Sequence, residues 1–211
     1  MLDWLNQTLF LIGSDEISLA ELLGFVFGGA AVALAAAERV SNFPVGILMS
    51  VFFGVLFVDA QLYANAALQV VYIALGLWGW WAWRYGGADR SALRVTRASP
   101  ALLMGTGAGV ALAAVALVPI LRAADDPAPF LDSLTTGMSL GAQALLNLKR
   151  LETWYAWFAV DLIYVPFYAS QGLWLTAVVY VGFIGLCVLG LRNWRRVRMS
   201  PQVPLPTGAP A

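Results

Sequence analysis

The chain has 211 residues, of which 61% are hydrophobic and 11% charged, with a mean hydropathy of +0.77. Soluble domains run near 25% charged, so this chain lacks the polar residues to cover a water-facing surface. Lys+Arg and Asp+Glu each number 12, histidine is absent and Cys187 is the single cysteine, which excludes a basic nucleic-acid footprint, a disulfide framework or zinc cluster, and any site that needs histidine.

In chain order, residues 1–18 come first. Asp3, Asp15, Glu16 and then Glu21 precede or open the first apolar run, and no positive n-region is present, which argues against a cleaved signal peptide. The segment reads as a short interfacial helix with Trp4 and Phe10 as anchors. A membrane-spanning helix needs about 20 apolar residues, and seven runs of that kind follow. The first, 19–37, is rich in Gly and Ala. The second, 43–58, starts at Pro44, and proline is tolerated in a first helical turn. The third is 63–83; the hydrophilic stretch 84–99 behind it carries Arg84, Arg90, Arg94 and Arg97. The fourth, 100–121, is almost purely Ala, Leu, Val and Gly, and leads to a connector, 122–129, with Asp125 and Asp126. The fifth, 130–148, is unusually polar for a span; the sixth is 154–170 and the seventh 173–194. The proline-rich tail 201–211 reads as disordered.

Lys and Arg near span ends mark the cytoplasmic side. With the N-terminus outside, Arg39, the four arginines of 84–99, Lys149, Arg150, Arg192, Arg195, Arg196 and Arg198 all fall inside, and only Arg122 falls outside. The expected topology is an external N-terminus and a cytoplasmic C-terminus in the inner membrane.

The chain also matches itself weakly at an offset of 111: Arg39 meets Arg150, Leu62 meets Leu173, Ala66 meets Ala177, Gly79 meets Gly190 and Trp83 meets Trp194. Both halves run from a basic connector through a short span and a turn to a long span that ends on Trp and Arg. Spans one to three thus match five to seven, and span four is the linker. One linker helix gives both repeats the same orientation, an arrangement used by transporters with the substrate site near the midplane. The expected fold is all-α: seven transmembrane helices in a 3+1+3 parallel-repeat arrangement. Its parts are an N-terminal segment (1–18), a first repeat (19–84), a loop, linker helix and outer connector (85–129), a second repeat (130–196) and a cytoplasmic tail (197–211).

Polar groups at membrane depth are costly and normally face a cavity or a partner. Asp161 is the clearest case, and Trp154, Trp157, Asp161, Tyr164 and Tyr168 recur at steps of three and four, on one helix face. Aromatic faces attract a cation and a carboxylate neutralises it, so this stripe suits a planar cation. The third span offers Asn65, Gln69 and Tyr72, the fifth Thr136, Ser139, Gln143 and Asn147, and Asn42 opens the second, where it also suits a helix cap. Amides present both donors and an acceptor, which fits ribose hydroxyls or a carboxamide, although they also glue helices together. Trp78, Trp80, Trp81 and Trp83 read mostly as interfacial belt residues.

These residues resemble the PnuC family of vitamin transporters. The first half is similar at 38–43 (Glu-Arg-Val-Ser-Asn-Phe), 61–64 (Gln-Leu-Tyr-Ala), Leu68–Gln69 and 79–83 (Gly-Trp-Trp-Ala-Trp). The second resembles the family's W-x-x-W-x-x-x-N/D element at Trp154, Trp157 and Asp161, with Gln171–Gly172 like its next turn. The resemblance implies a SWEET-like 3+1+3 homotrimer. It also implies facilitated diffusion of unphosphorylated nicotinamide riboside, trapped by a cytoplasmic kinase and feeding NAD biosynthesis. Related members carry thiamine or riboflavin, and Asp161 stands where several nicotinamide riboside carriers have Asn. The expected substrate-binding set is Trp154, Trp157, Asp161, Tyr164, Gln69, Tyr72, Asn65, Asn42, Gln143 and Asn147, with no cofactor, no metal and no nucleic-acid partner. A membrane enzyme is disfavoured, because no nucleophile–base or metal set is present and no G-x-x-x-x-G-K-[ST] element occurs. A non-transporting binding subunit and a proton-coupled carrier remain open alternatives.

Overall fold

The structure, a computed structural model, describes residues 3–5, 7–12, 15–59, 63–125 and 128–199. The proline-rich tail and the 61–62 part of the family-like segment lie outside the described residues. Seven long helices dominate: α1 (Leu19–Ala36), α2 (Asn42–Asp59), α3 (Tyr63–Tyr85), α4 (Pro100–Ala123), α5 (Pro129–Asn147), α6 (Thr153–Ser170) and α7 (Trp174–Met199). By length and apolarity α2, α3, α4 and α7 can each cross a membrane, and α1 contains a shorter apolar helix, Leu22–Ala36. Helices α5 and α6 are as long as α1 and α2 but carry Ser133, Thr135, Ser139, Asn147 and Asp161. All five side chains are buried in the bundle, as polar groups at membrane depth must be. The chain is an all-α polytopic membrane protein.

The N-terminal segment departs from expectation. In place of an interfacial helix it forms an antiparallel hairpin, β1 (Thr8–Ile12) with β2 (Asp15–Ser18), preceded by one 3-10 turn at Asp3–Leu5. Backbone pairing across the hairpin satisfies peptide groups that a helix of this length would leave open at both ends. Phe10 falls on β1; Trp4, in the turn, is exposed.

Helix packing runs α1 on α2 and α7, α3 on α2 and α5, and α6 on α5 and α7, while α4 packs chiefly on α5. Positions 111 apart make the same contacts. Helices α1 and α5 both end in a Schellman-type turn. Arg39 N–H reaches Leu34 O and Glu38 N–H reaches Ala35 O; Arg150 reaches Leu145 O and Lys149 reaches Leu146 O. The turns place Glu38 (φ 56°) and Lys149 (φ 53°) in the left-handed region, and their side chains form a salt bridge at 3.1 Å. The indole of Trp83 donates to Leu146 O at 2.9 Å and that of Trp194 to Ala35 O at 3.0 Å. Phe43 meets Trp83 edge-on at 5.1 Å between centroids, as Trp154 meets Trp194 at 5.3 Å. Gly79 and Gly190 make room for these rings: a Cβ on Gly190 would lie 2.5 Å from the Trp154 ring, and one on Gly79 would enter Phe43. Trp83 is therefore no belt residue but core, 1% exposed, whereas Trp78 and Trp81 face outward.

Apart from Arg122, the basic residues of the connectors gather at one end. Arg150 bonds Thr96 and the Arg97 carbonyl, Lys149 bonds Leu93 O, Ala98 N–H donates to Glu152, and Arg195 bonds the Tyr155 hydroxyl. The stretch 86–99 thus lies across the exits of α3 and α5 at this end. Arg122 sits at the far end of α4.

Candidate functional site

Six of the seven helices, all but α4, surround a cavity of about 370 Å³, within the size range of small-molecule pockets. Its floor at the basic end is the ring cluster of Phe43, Trp83, Trp154 and Trp194, with Trp83 and Trp194 centroids 5.7 Å apart. Toward the other end Tyr164, Tyr168 and Tyr180 pack together with centroids 5.0–5.4 Å apart, and Phe183 lies edge-on to Tyr180. Helix α6 crosses from one cluster to the other. Asp161 lies eight residues beyond its first residue, Thr153, which at 1.5 Å per residue is about 12 Å in from the basic face.

Of the residues expected at the site, Asn42, Gln69, Tyr72, Gln143, Trp154, Trp157, Asp161 and Tyr164 line this one cavity. Asp161 is 4% exposed and accepts a hydrogen bond from the Cys187 thiol at 3.5 Å. No Lys or Arg is among the lining residues. Tyr164 donates to Thr135 at 2.9 Å, and Tyr72 shares a hydrogen bond with Ser139 across α3 and α5. Asn42 sits at the start of α2, where its amide donates to Arg39 O at 2.7 Å. Trp157 is half-buried against the cavity.

Two expected residues stand elsewhere. Asn147 is fully buried and occupied: its amide donates to Leu75 O at 2.8 Å and its carbonyl accepts from Gln143 at 3.0 Å. It ties α5 to α3, which is the helix-glue role that amides play in bundles. Asn65 is exposed near the start of α3 and does not line the cavity; one turn before Gln69, it lies beyond the cavity's reach. Conversely, α7 contributes Tyr180, Phe183 and Cys187, and α2 contributes Ser50. The α7 trio recurs at steps of three and four on one face, a signal present in the sequence; Ser50 is a lone small polar residue with no such pattern.

The arrangement defines a class: a multi-pass membrane protein built round a ligand-sized cavity with aromatic walls and one carboxyl group. The family model described as nicotinamide mononucleotide transporter matches residues 18–196. The chain belongs to that family, the vitamin-type transporters that include PnuC. It is 27% identical over 210 residues to the nicotinamide riboside transporter PnuC of Escherichia coli (strain K12), covering 86% of this chain and 87% of that one. It is 28% identical over 218 residues to the riboflavin/roseoflavin transporter RibM of Streptomyces davaonensis, covering 100% of both. Its fold is similar to a crystal structure of the vitamin B3 transporter PnuC, with a TM-score of 0.66 at 20% identity, covering 86% of this chain and 83% of that one.

Proposed function

We propose that this protein carries nicotinamide riboside across the inner membrane by facilitated diffusion, the cargo being trapped by phosphorylation in the cytoplasm. The observation that carries this reading is Asp161: a buried carboxyl group in an aromatic-walled cavity whose lining holds no Lys or Arg. A buried charge is costly unless it is paired, and a pyridinium ring supplies the missing partner while it stacks on Trp157. The same lining disfavours a phosphomonoester, whose two negative charges would meet Asp161 and no cation; the nucleoside fits better than the nucleotide. The matched contacts at an offset of 111 support a 3+1+3 parallel repeat, with alternating access by rocking of one repeat against the other. We place the protein as a homotrimer with its N-terminus outside, the basic end in the cytoplasm and no cofactor. Purified protein in liposomes should equilibrate labelled nicotinamide riboside without ATP or an imposed ion gradient. Proton-driven accumulation above the outside concentration would refute uniport, and absence of any flux would leave only a binding subunit.

A second reading is favoured by the full-length similarity to RibM, at an identity equal to that of PnuC within a point: a neutral flavin as cargo. Thiamine, another cation, is the third. Asp161→Asn separates the cases. It keeps hydrogen bonding and removes charge, so affinity for nicotinamide riboside or thiamine should fall by about tenfold, near 1.4 kcal/mol, while affinity for riboflavin should hold. Equal affinity of the two proteins for a cationic ligand would show that charge pairing is not the role of Asp161.

The gathering of most basic residues at one end of the bundle supports this orientation. Reporter fusions after Arg90 and after Arg198 should both report cytoplasm; a signal from the opposite side at either point would sink this topology.

A further inference from the structure

We infer that the indole N–H of Trp154 and the hydroxyl of Ser50 form a second recognition point in the cavity, one that donates hydrogen bonds to an uncharged acceptor oxygen carried by the cargo's ring. The inference rests on the cavity being the vitamin site. It assigns Trp154 a different part from that of Trp157, and it adds a residue, Ser50, on the opposite repeat.

Trp154 is 2% exposed: its six-membered ring packs over Gly190, and it meets Trp194 edge-on at 86°. A stacking partner needs an open face; this indole is wedged into the floor. Its Nε1 is nevertheless buried without a hydrogen-bond partner. Buried indole N–H groups usually find one, and a buried donor left unpaired carries its full desolvation penalty. Two other buried polar side-chain atoms lack partners among the described residues, on Glu38 and Arg150, and neither residue lines the central cavity. Trp154 does, and the ligand is the partner assigned to this N–H.

Ser50 adds an independent observation. It is 4% exposed and lines the same cavity. It also stands 111 positions before Asp161, the offset that relates the paired Trp, Gly and capping contacts. The two repeats therefore present an acid from one wall and a hydroxyl from the other. An acid pairs with positive charge; an N–H and an O–H together suit a neutral acceptor such as a carboxamide or ring carbonyl. The first repeat has Phe43 where the second has Trp154, so the indole donor belongs to one half alone and fixes which way round a ring sits.

Binding to the purified full chain tests this with two probes, nicotinamide riboside and the same riboside lacking its carboxamide. Trp154→Phe removes the N–H and keeps an aromatic ring, and Phe43 shows that phenylalanine fits this geometry against Gly79 and Trp83. Ser50→Ala removes only a hydroxyl. Each variant should weaken nicotinamide riboside by about tenfold, the effect of one lost hydrogen bond at the upper end of its range, and leave the stripped riboside unchanged. No loss for nicotinamide riboside, or equal loss for both probes, overturns the assignment. Wild-type protein that ignores nicotinamide riboside and binds riboflavin would refute the proposed cargo instead. The variants are then measured on riboflavin, whose ring carbonyls are acceptors of the same class; a tenfold fall supports the two donors and an unchanged affinity overturns them.

Discussion

Replacing Trp194 with alanine is expected to lower the unfolding free energy by about 3–5 kcal/mol, the range for truncating a fully buried aromatic. The side chain is 0% exposed and holds three things at once. Its N–H donates to Ala35 O on α1, and its rings touch Trp83 on α3 and Trp154 on α6. It thereby joins the two halves of the chain at the basic end. Alanine would leave a void under the cavity floor and remove the indole donor from the Ala35 carbonyl, which would keep only its bond from Glu38 N–H. Trp194→Phe should cost less, because it keeps most of the ring volume and loses the hydrogen bond. Thermal or denaturant unfolding of the purified protein in detergent reads both. If Trp194→Ala unfolds like wild type, the ring cluster is not what holds the halves together. Trp83→Ala should behave in the same way, since Trp83 makes the matching bond to Leu146 O.

Much of this architecture is legible in the sequence because the membrane makes length and apolarity decisive. The helices begin and end within a few residues of the apolar runs, with α7 continuing to Met199 through its arginines, whose side chains suit the last turns of a helix. The offset of 111 was visible in Arg39, Gly79 and Trp83 with their counterparts. Its meaning was not, since a list of identities does not say that Gly79 receives Phe43 or that Trp83 bonds the opposite half. Trp83 reads as a belt residue in the sequence for the same reason: a tryptophan at a span end is interfacial or core according to what packs on it. The hairpin of Thr8–Ser18 is not legible in the sequence, because Trp and Phe near a membrane suggest an amphipathic helix, while its run Thr8 to Ile12 is short and β-branched only at its two ends. Helical spacing in α6 placed Trp154, Trp157, Asp161 and Tyr164 correctly on one face. It could not say which of them would turn an open ring toward the cavity, because that depends on Gly190 and Trp194 across the helix pair. Asn147 illustrates the converse, an amide on the right face whose partners all belong to the protein.

Trp157→Ala is expected to weaken ligand binding by about 1–3 kcal/mol, the size found for a planar base stacked on an aromatic side chain, while the protein remains folded. The contrast with Trp154 explains why the two tryptophans of one motif should differ. Trp154 is sealed into the floor, so its truncation damages packing and binding together and reports on neither cleanly. Trp157 is half-buried beside the cavity, and no ring–ring contact with another aromatic residue fixes it among the described residues. A half-buried ring beside the cavity, one turn from a carboxyl group on the same helix face, is placed to take a flat cation between ring and charge. Trp157→Phe should restore part of the affinity and Trp157→Leu little, because leucine supplies apolar area without a π-face. The comparison is made by equilibrium binding on the purified variants, with unfolding measured alongside. Leucine and phenylalanine that restore affinity equally would show that Trp157 contributes bulk to the cavity wall and not a stacking surface.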